Sequence, residues 1–331
     1  MQTELIAVDP RSPEPDRIER CAQVLLRRGL VAFPTETVYG LGALADDEAA
    51  AKKIYEAKGR PSHNPLITHV GSVHAARELA PSWSDVAEAL AERFWPGPLT
   101  LVVPRATKIP RSVCGGLDAM AIRVPAHPVA LALLRAVDRP IAAPSANRSN
   151  ELSPTTAAHV LRALDGRIDV VLDGGPCRVG IESTVVDLCG DHPVILRPGT
   201  ITIDELRAIA PRAEQRSAVL RDGQARPSPG MDAKHYAPRA KLILAERAQL
   251  SELVRESSGI TGVLTVGSGP VSASDGVLVV EMSADAKEYA AALYERLHWL
   301  DEQGCVAIVC ERVPSTSAWD GARDRLQRAT A

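Results

Sequence analysis

Two cations, an imidazole and an amide are concentrated in residues 58–66, which read KGRPSHNPL. Lys58 and Arg60 stand two positions apart, so an extended backbone would point both side chains to the same side. Lysine acts as a compact charge and arginine as a two-pronged donor, and together they suit the oxygens of a triphosphate. The alternative is a solvated basic turn, because charged residues are common on protein surfaces.

Short polar side chains follow two apolar strands. Thr35 and Thr37 lie in FPTETVYGLG (33–42), between a strand and two glycines. The end of a strand is where an open α/β sheet usually binds its ligand, although a glycine-rich turn with capping hydroxyls is the alternative. Ser145 and Asn147 alternate in APSAN (143–147) and could hold a phosphate oxygen or a metal-bound water. Both residues are also ordinary turn formers.

Polar residues also occur within or beside other apolar strands. Arg123 lies inside AIRVP, where an unpaired cation would be costly, so we expect it to face a cleft and meet a carboxylate. A buried structural salt bridge is the alternative. His69, in LITHV, fits either a satisfied core residue or a ligand contact. Ser183 opens one later strand, and Arg197 follows the next strand, just before Pro198.

The sequence offers no obvious nucleophile. No Ser-His-Asp grouping stands out, and the G-x-S-x-G, P-loop and H-E-x-x-H patterns are absent. A site built from cations and small hydroxyls works mostly by positioning and charge neutralisation. This favours phosphoryl or adenylyl transfer.

The elements that position these residues suggest three segments. Residues 1–211 mix strands and helices without a strict βαβ repeat, which predicts an α/β fold with a twisted, mixed, open sheet covered by helices. Residues 212–241 form a predicted linker or lid, with seven Lys or Arg and three Asp or Glu, a local 7 − 3 = +4. Residues 242–331 predict a small, Rossmann-like parallel α/β domain without a glycine-rich phosphate fingerprint.

Composition limits the class of protein. The 331 residues are 45% apolar with a net charge of −3, which is typical of a globular chain and argues against a nucleic-acid coat. The sequence has no apolar run of the ~20 residues that a membrane span needs, and its N-terminus does not resemble a signal peptide. Six scattered cysteines without C-x-x-C spacing indicate buried thiols rather than structural zinc. We therefore expect a cytoplasmic protein.

Seven motifs occur in an order that resembles the YrdC-like domain of threonylcarbamoyl-AMP synthases. They are FPTETVYGLG, KGRPSHNPL, WPGPLT, AIRVPAHP, PIAAPSAN, GIEST and LRPG. SPGMDAKHYAP (228–238) and the C-terminal unit resemble the longer, two-domain form of the family. The chain departs from that pattern at Asp232-Ala233-Lys234, where relatives often carry more basic or aromatic residues, and at its C-terminus, which lacks a glycine-rich tail.

The resemblance implies a reaction. L-threonine, bicarbonate or CO2, and ATP would give L-threonylcarbamoyl-AMP and pyrophosphate, with Mg2+ accompanying the phosphates. The product would pass to a separate transferase complex that forms threonylcarbamoyladenosine in tRNA. Neither stable nucleic-acid binding nor membrane association is expected.

The resemblance also assigns roles to residues. It implies that the catalytic tetrad is Lys58, Arg60, Ser145 and Asn147. It implies that ATP is bound by Lys58, Arg60, Asn64, Ser145, Asn147, Ser153, Arg197 and Tyr236, and that Tyr236 closes over the nucleotide. It implies that L-threonine is bound by Thr35, Thr37, His69, Arg123 and Ser183. No protein ligand to a metal is predicted.

Two other functions remain as alternatives. A concave basic sheet face could make the chain an RNA-binding module, although the negative net charge and the absence of paired surface aromatics argue against this. A related carbamoyltransferase-type domain could use an amine other than threonine.

Overall fold

The computed structural model describes residues 2–215 and 236–330 of the chain. Within these ranges the strands form one sheet of eleven and one sheet of four. We refer to residues 2–215 as the first unit and to residues 236–330 as the second unit. No helix in the described ranges is long and apolar enough to cross a membrane.

The first unit is a mixed, open sheet covered by helices, as the sequence predicted. Its strands are β1 (Glu4–Ala7), β2 (Val31–Phe33), β3 (Gly40–Leu44), β4 (Ile67–His69), β5 (Leu99–Pro104), β6 (Ala119–Arg123), β7 (Ile141–Ala142), β8 (Val170–Asp173), β9 (Thr184–Asp187), β10 (Val194–Arg197) and β11 (Glu214–Gln215). Their order is β1-β8-β2-β3-β7-β4-β6-β5-β9-β10-β11. The sheet contains both parallel pairs, such as β4–β6, and antiparallel pairs, such as β5–β6.

The helices of the first unit begin and end at identifiable signals. They are α1 (Pro15–Leu26), α2 (Glu48–Lys58), α3 (Val73–Leu79), α4 (Asp85–Phe94), α5 (Pro128–Val137), α6 (Ala157–Leu164) and α7 (Ile203–Arg207). Asp47 caps α2 by accepting a hydrogen bond from Ala50 N, and Gly59 ends it in the left-handed conformation. Thr202 and Glu205 form a capping box at the start of α7.

The second unit is a parallel α/β fold, again as predicted. Its strands are β12 (Lys241–Ala245), β13 (Thr261–Val266), β14 (Val277–Met282) and β15 (Ala307–Glu311), in the order β12-β15-β13-β14. All its neighbouring strands run parallel. Its helices are α8 (Leu250–Glu256), α9 (Ala286–Glu302) and α10 (Asp320–Ala329), with short 3-10 turns at Arg247–Gln249 and Ser317–Trp319.

The two units share an apolar core. Val38 and Ile181 of the first unit are buried in the same cluster as Leu293 and Tyr289 of α9. Each fully buried side chain of this kind contributes about 1.5–3 kcal/mol, so the second unit is firmly packed on the first. Gly180 allows the close approach: its φ is +77°, and a Cβ there would lie 2.4 Å from a backbone oxygen of α9.

One composition-based expectation needs correction. Five of the six cysteines are buried free thiols, but Cys189 is exposed. It lies in the turn just after β9 ends, beyond the strand residues that the sheet covers. Burial raises the pKa of the Cys177 and Cys310 thiols above the ordinary value, which suits structural rather than reactive cysteines.

Candidate active site

A polar cavity lies at the strand ends of the first unit, against the second unit. Its empty volume is about 470 Å3, including its open mouth. Most of the residues that the sequence singled out line it, namely Thr35, Thr37, Arg60, His69, Arg123, Ser145, Ser183, Arg197 and Tyr236. The fold therefore brings together side chains from eight separate places in the sequence.

Lys58 does not line the cavity but supports its wall. The residue ends α2 and is only 2% exposed. Its Nζ donates to the backbone oxygens of Ser145, at 2.6 Å, and of Asn147. Burial, followed by the charge of Arg60, lowers the pKa of Lys58 well below its ordinary value. The lysine thus fixes the segment that carries Ser145 and Asn147.

The extended geometry expected for Lys58 and Arg60 is wrong. Lys58 is still helical and Gly59 is left-handed, so the two side chains do not project in parallel from a strand. Arg60 instead donates from Nη2 to Pro65 O at 3.1 Å and lines the cavity. The two cations come close because the helix ends between them, not because of period-two spacing.

The remaining members of the predicted ATP set are buried beside the cavity. Asn64, in the loop after α2, is 2% exposed and Ser153 is fully buried. Asn147 donates from Nδ2 to Arg148 O and Glu151 O, both at 2.8 Å. Its Oδ1 is buried and has no hydrogen-bond partner among the described residues. That oxygen is a potential acceptor for a ligand or for metal-bound water.

Arg123 meets a carboxylate, as expected, but the partner belongs to the protein. Its Nη2 donates to Glu36 Oε1 at 2.6 Å, and both side chains are 4% exposed. Its other nitrogens donate to Thr37 Oγ1 at 3.0 Å and to Gly97 O at 3.2 Å. The residue is therefore both a buried salt bridge and part of the cavity lining. Glu36 is a supporting residue that the site prediction omitted.

His69 lies on the cavity wall as a neutral ring. Burial, followed by the nearby charge of Arg123, lowers its pKa to about 3. Its Nδ1 lies 3.1 Å from Ile67 O. A neutral imidazole can hydrogen-bond a ligand without adding a second charge beside Arg123.

Further hydroxyls, together with Arg197, also line the cavity. Thr35 donates to Val38 O at 2.7 Å, and its Oγ1 lies 2.8 Å from that of Thr37. Arg197 donates from Nε to Ser183 O at 3.1 Å and from Nη2 to Ser183 Oγ at 3.1 Å. These bonds order the polar groups before any ligand arrives.

Glu182 is a second supporting residue that the site prediction missed. It lines the cavity and accepts hydrogen bonds from Ser153 Oγ, from Tyr294 of α9 at 3.2 Å and from Arg325 of α10 at 2.6 Å. Burial alone would raise the pKa of the carboxyl. The charges of Arg325 and Arg197 outweigh that effect and hold the pKa below its ordinary value. The motif GIEST could have indicated Glu182, whereas nothing local in the sequence indicates Arg325.

Family models match nearly the whole chain. The model described as "Telomere recombination" matches residues 23–199, and the model described as "Threonylcarbamoyl-AMP synthase, C-terminal domain" matches residues 201–331. The second match begins just before α7 and so includes that helix, which belongs to the first unit.

Curated relatives match at full length. The threonylcarbamoyl-AMP synthase of Pyrococcus abyssi is 43% identical over 330 residues, covering 95% of this chain and 96% of its own. The threonylcarbamoyl-AMP synthase of Bacillus subtilis is 42% identical over 328 residues, covering 97% and 95%.

A solved relative shares the architecture. The crystal structure of P. abyssi Sua5 complexed with L-threonine superposes with a TM-score of 0.92 at 41% identity, covering 99% of this chain and 98% of that one. This similarity extends over both units. The chain belongs to the threonylcarbamoyl-AMP synthase family of nucleotidyltransferase enzymes, in the form that carries the C-terminal domain.

Proposed function

We propose that this chain condenses L-threonine, bicarbonate or CO2, and ATP into L-threonylcarbamoyl-AMP, with release of pyrophosphate. The observation that carries the proposal is a single cavity in which Arg60, Ser145 and Arg197 face the same space as Thr37, His69 and Arg123. The family membership and the L-threonine complex of the P. abyssi relative support the choice of substrates.

The amino-acid half of the site is assigned to Thr35, Thr37, His69, Arg123 and Ser183. Arg123 is held by Glu36 and by Thr37, which leaves its guanidinium fixed at the cavity wall to face the threonine carboxylate. His69 stays neutral at physiological pH, because its pKa is lowered to about 3, and it can hydrogen-bond the substrate. Holding the amine next to the carbon of CO2 favours carbamate formation by proximity.

The nucleotide half is assigned to Lys58, Arg60, Asn64, Ser145, Asn147, Ser153, Arg197 and Tyr236. The carbamate oxygen attacks the α-phosphorus of ATP, the bond to the β-phosphate oxygen breaks, and pyrophosphate leaves. Arg60 and Arg197 neutralise the phosphate charge that develops. Lys58 supports the cavity wall, because its ammonium group donates hydrogen bonds to the backbone oxygens of Ser145 and Asn147.

Magnesium fits the oxygen chemistry of this half of the site. Asn147 Oδ1 is a buried acceptor without a partner in the described ranges, and amide oxygens and waters are ligands that Mg2+ accepts. No group of three or more His, Cys, Asp or Glu suited to a metal occurs within residues 2–215 and 236–330. The ion would therefore arrive with ATP and neutralise charge on the phosphates.

Each of the three proposed segments has its own role in the reaction. We assign catalysis to residues 1–211, a lid to residues 212–241 and a supporting role to residues 242–331. The first sheet continues to β11 at Glu214–Gln215, past the proposed limit. Most of the lid, including Asp232-Ala233-Lys234 and six of the ten charges counted from the sequence, lies outside the described residues.

The product would be consumed by a tRNA threonylcarbamoyl transferase in the cytoplasm. The RNA-binding alternative is not favoured, since the relatives that match at full length are named as synthases.

The other alternative, an amine substrate different from threonine, can be tested by ligand binding. L-threonine is expected to raise the Tm of the protein, and L-valine and L-serine are expected to raise it less, because a ligand that binds the folded state stabilises it by mass action. A larger shift with another amino acid would replace threonine in the proposal.

A further inference from the structure

Arg325, near the C-terminus, reaches the wall of the cavity from the second unit. The residue lies on α10 and is 1% exposed. Its Nε donates to Glu182 Oε2 at 2.6 Å and its Nη1 donates to Pro198 O at 2.9 Å. Arg325 itself does not line the cavity, whereas Glu182 does. Any influence of the arginine on a ligand must pass through its neighbours.

One such neighbour is Tyr236, which lines the cavity. The guanidinium of Arg325 lies 5.1 Å from the centre of the Tyr236 ring, within the range of a cation–π contact. The centre of the Tyr294 ring, on α9, lies 6.0 Å from the centre of the Tyr236 ring. Tyr236 has a φ of +61°, a left-handed conformation that is costly for an aromatic residue. The contacts with α9 and α10 therefore hold Tyr236 in place.

Ser153 is linked to Arg325 through Glu182, and it is held from two sides. Its hydroxyl donates to Glu182, the partner of Arg325. Its carbonyl accepts a hydrogen bond from His298 Nε2 of α9 at 3.2 Å. The second unit thus controls the position of Ser153 through one direct and one relayed contact.

We propose that Arg325 is a positioning residue for the nucleotide half of the site, fixing Ser153 through Glu182 and Tyr236 through its ring. The proposal rests on the function proposed above, which places Ser153 and Tyr236 on ATP. It explains why the C-terminal unit is packed at the cavity. Arg123, which is assigned to the threonine carboxylate, uses other partners, since it is held by Glu36, Thr37 and Gly97.

Arg325 also controls the charge of Glu182. The charged and titratable groups around this carboxylate are Arg325 and Asp324 of α10, Tyr294 of α9, Tyr236, and Arg197 of β10. Without the charge of Arg325, less of the effect of burial is opposed, so the pKa of Glu182 rises relative to the native protein. A protonated Glu182 accepts hydrogen bonds from Ser153 and Tyr294 less well, so activity is lost as pH falls.

The test compares Arg325→Met with Arg323→Met, a change on the same helix. Arg323 pairs with Asp320 and Pro314 O and does not reach the cavity. Pyrophosphate release is measured while ATP and L-threonine are varied in turn. Arg325→Met is expected to raise the KM for ATP at least about tenfold, the worth of one charge-assisted hydrogen bond, and to change the KM for threonine less than about twofold. Arg323→Met is expected to match the native protein.

The pH profile gives a second readout. Arg325→Met is expected to lose activity on the acid side at a higher pH than the native protein does, because the pKa of Glu182 is raised when its cationic partner is removed. Unchanged kinetics and an unchanged profile in folded Arg325→Met would overturn the proposal. An equal rise in both KM values would also overturn it, because it would indicate general loosening of the site.

Two further variants cover the case in which Arg325→Met fails to fold. Glu182→Gln/Arg325→Met replaces the buried pair with neutral groups, which proteins often tolerate in stability. Arg325→Lys keeps the charge but loses the two-pronged geometry. Both are expected to fold and to raise the KM for ATP, and native KM values in both would refute the positioning role. Absent threonine-dependent turnover in the native protein would instead refute the proposed function, so the two failures are distinguishable.

Discussion

The buried pair of Glu36 and Arg123 allows a quantitative test of how the amino-acid half of the site is held. Glu36 accepts from Arg123 at 2.6 Å and from Ala126 N at 3.0 Å, and both charged side chains are 4% exposed. Removing one member of such a pair leaves an uncompensated charge out of water. Glu36→Ala is therefore expected to lower the free energy of unfolding by about 3–5 kcal/mol.

Glu36→Gln is the milder change, since it keeps the shape but removes the charge. It retains one acceptor oxygen, so the loss is about that of a charge-assisted hydrogen bond, ~1.5–3 kcal/mol. Without its anchor, Arg123 is expected to turn from the threonine position, and the KM for threonine is expected to rise at least about tenfold. Urea unfolding measures the first effect and pyrophosphate release at varied threonine measures the second.

Glu56→Gln is the matched control, because Glu56 is exposed and lies 3.7 Å from Lys52 on the surface of α2. Its effect on stability is expected to stay within ~0.5 kcal/mol. The reasoning fails if Glu36→Gln unfolds at the same urea concentration as the control and keeps the native KM for threonine. That result would mean that Arg123 is positioned without its carboxylate.

Four other substitutions probe the cavity wall, the contact between the units and the acid limit of stability. Lys58→Ala and Arg60→Ala are each expected to cut turnover at least ~10²-fold in a pyrophosphate-release assay, and native rates for both would remove their roles. Gly180→Ala is expected to reduce activity and lower the Tm, because the added methyl group meets backbone oxygens of α9 and the φ of +77° is strained for alanine; a native Tm would contradict the tight contact. Burial lowers the pKa of His159 to about 3 and of His298 to about 4, while both titrate near 6.5 when unfolded. Stability should therefore fall as pH drops from about 6.5 toward 4, and His298→Phe should flatten that slope in urea unfolding measured at several pH values.

The sequence predicted the regular elements well where hydrophobic pattern and local signals agreed. The parallel α/β domain predicted for residues 242–331 is present, because its apolar runs all form parallel strands. The strand at Gly40–Leu44 was not predicted, and a glycine-rich turn was only the alternative for residues 33–42. Gly42 is needed there because a Cβ would lie 2.8 Å from the Phe33 ring, a packing requirement that the local sequence does not show.

The site was predictable in its residue types but not in its supporting contacts. Arg60 and Arg123 could be found because a cation next to an apolar strand requires an explanation, and both line the cavity. The link between Glu182 and Arg325 could not be found, since 143 residues separate them and either residue alone resembles an ordinary surface charge. Such pairs depend on how the second unit packs on the first, which no local pattern encodes.

The most direct test of the central claim is pyrophosphate release from ATP in the presence of bicarbonate, with and without L-threonine. The account predicts that release requires all three substrates and that the AMP-containing product carries both the threonine and the bicarbonate carbon, detectable by isotope labelling and mass spectrometry. Pyrophosphate release at the same rate without threonine, or a product that lacks the labelled carbon, would contradict the assignment of one cavity to both the amino acid and the nucleotide.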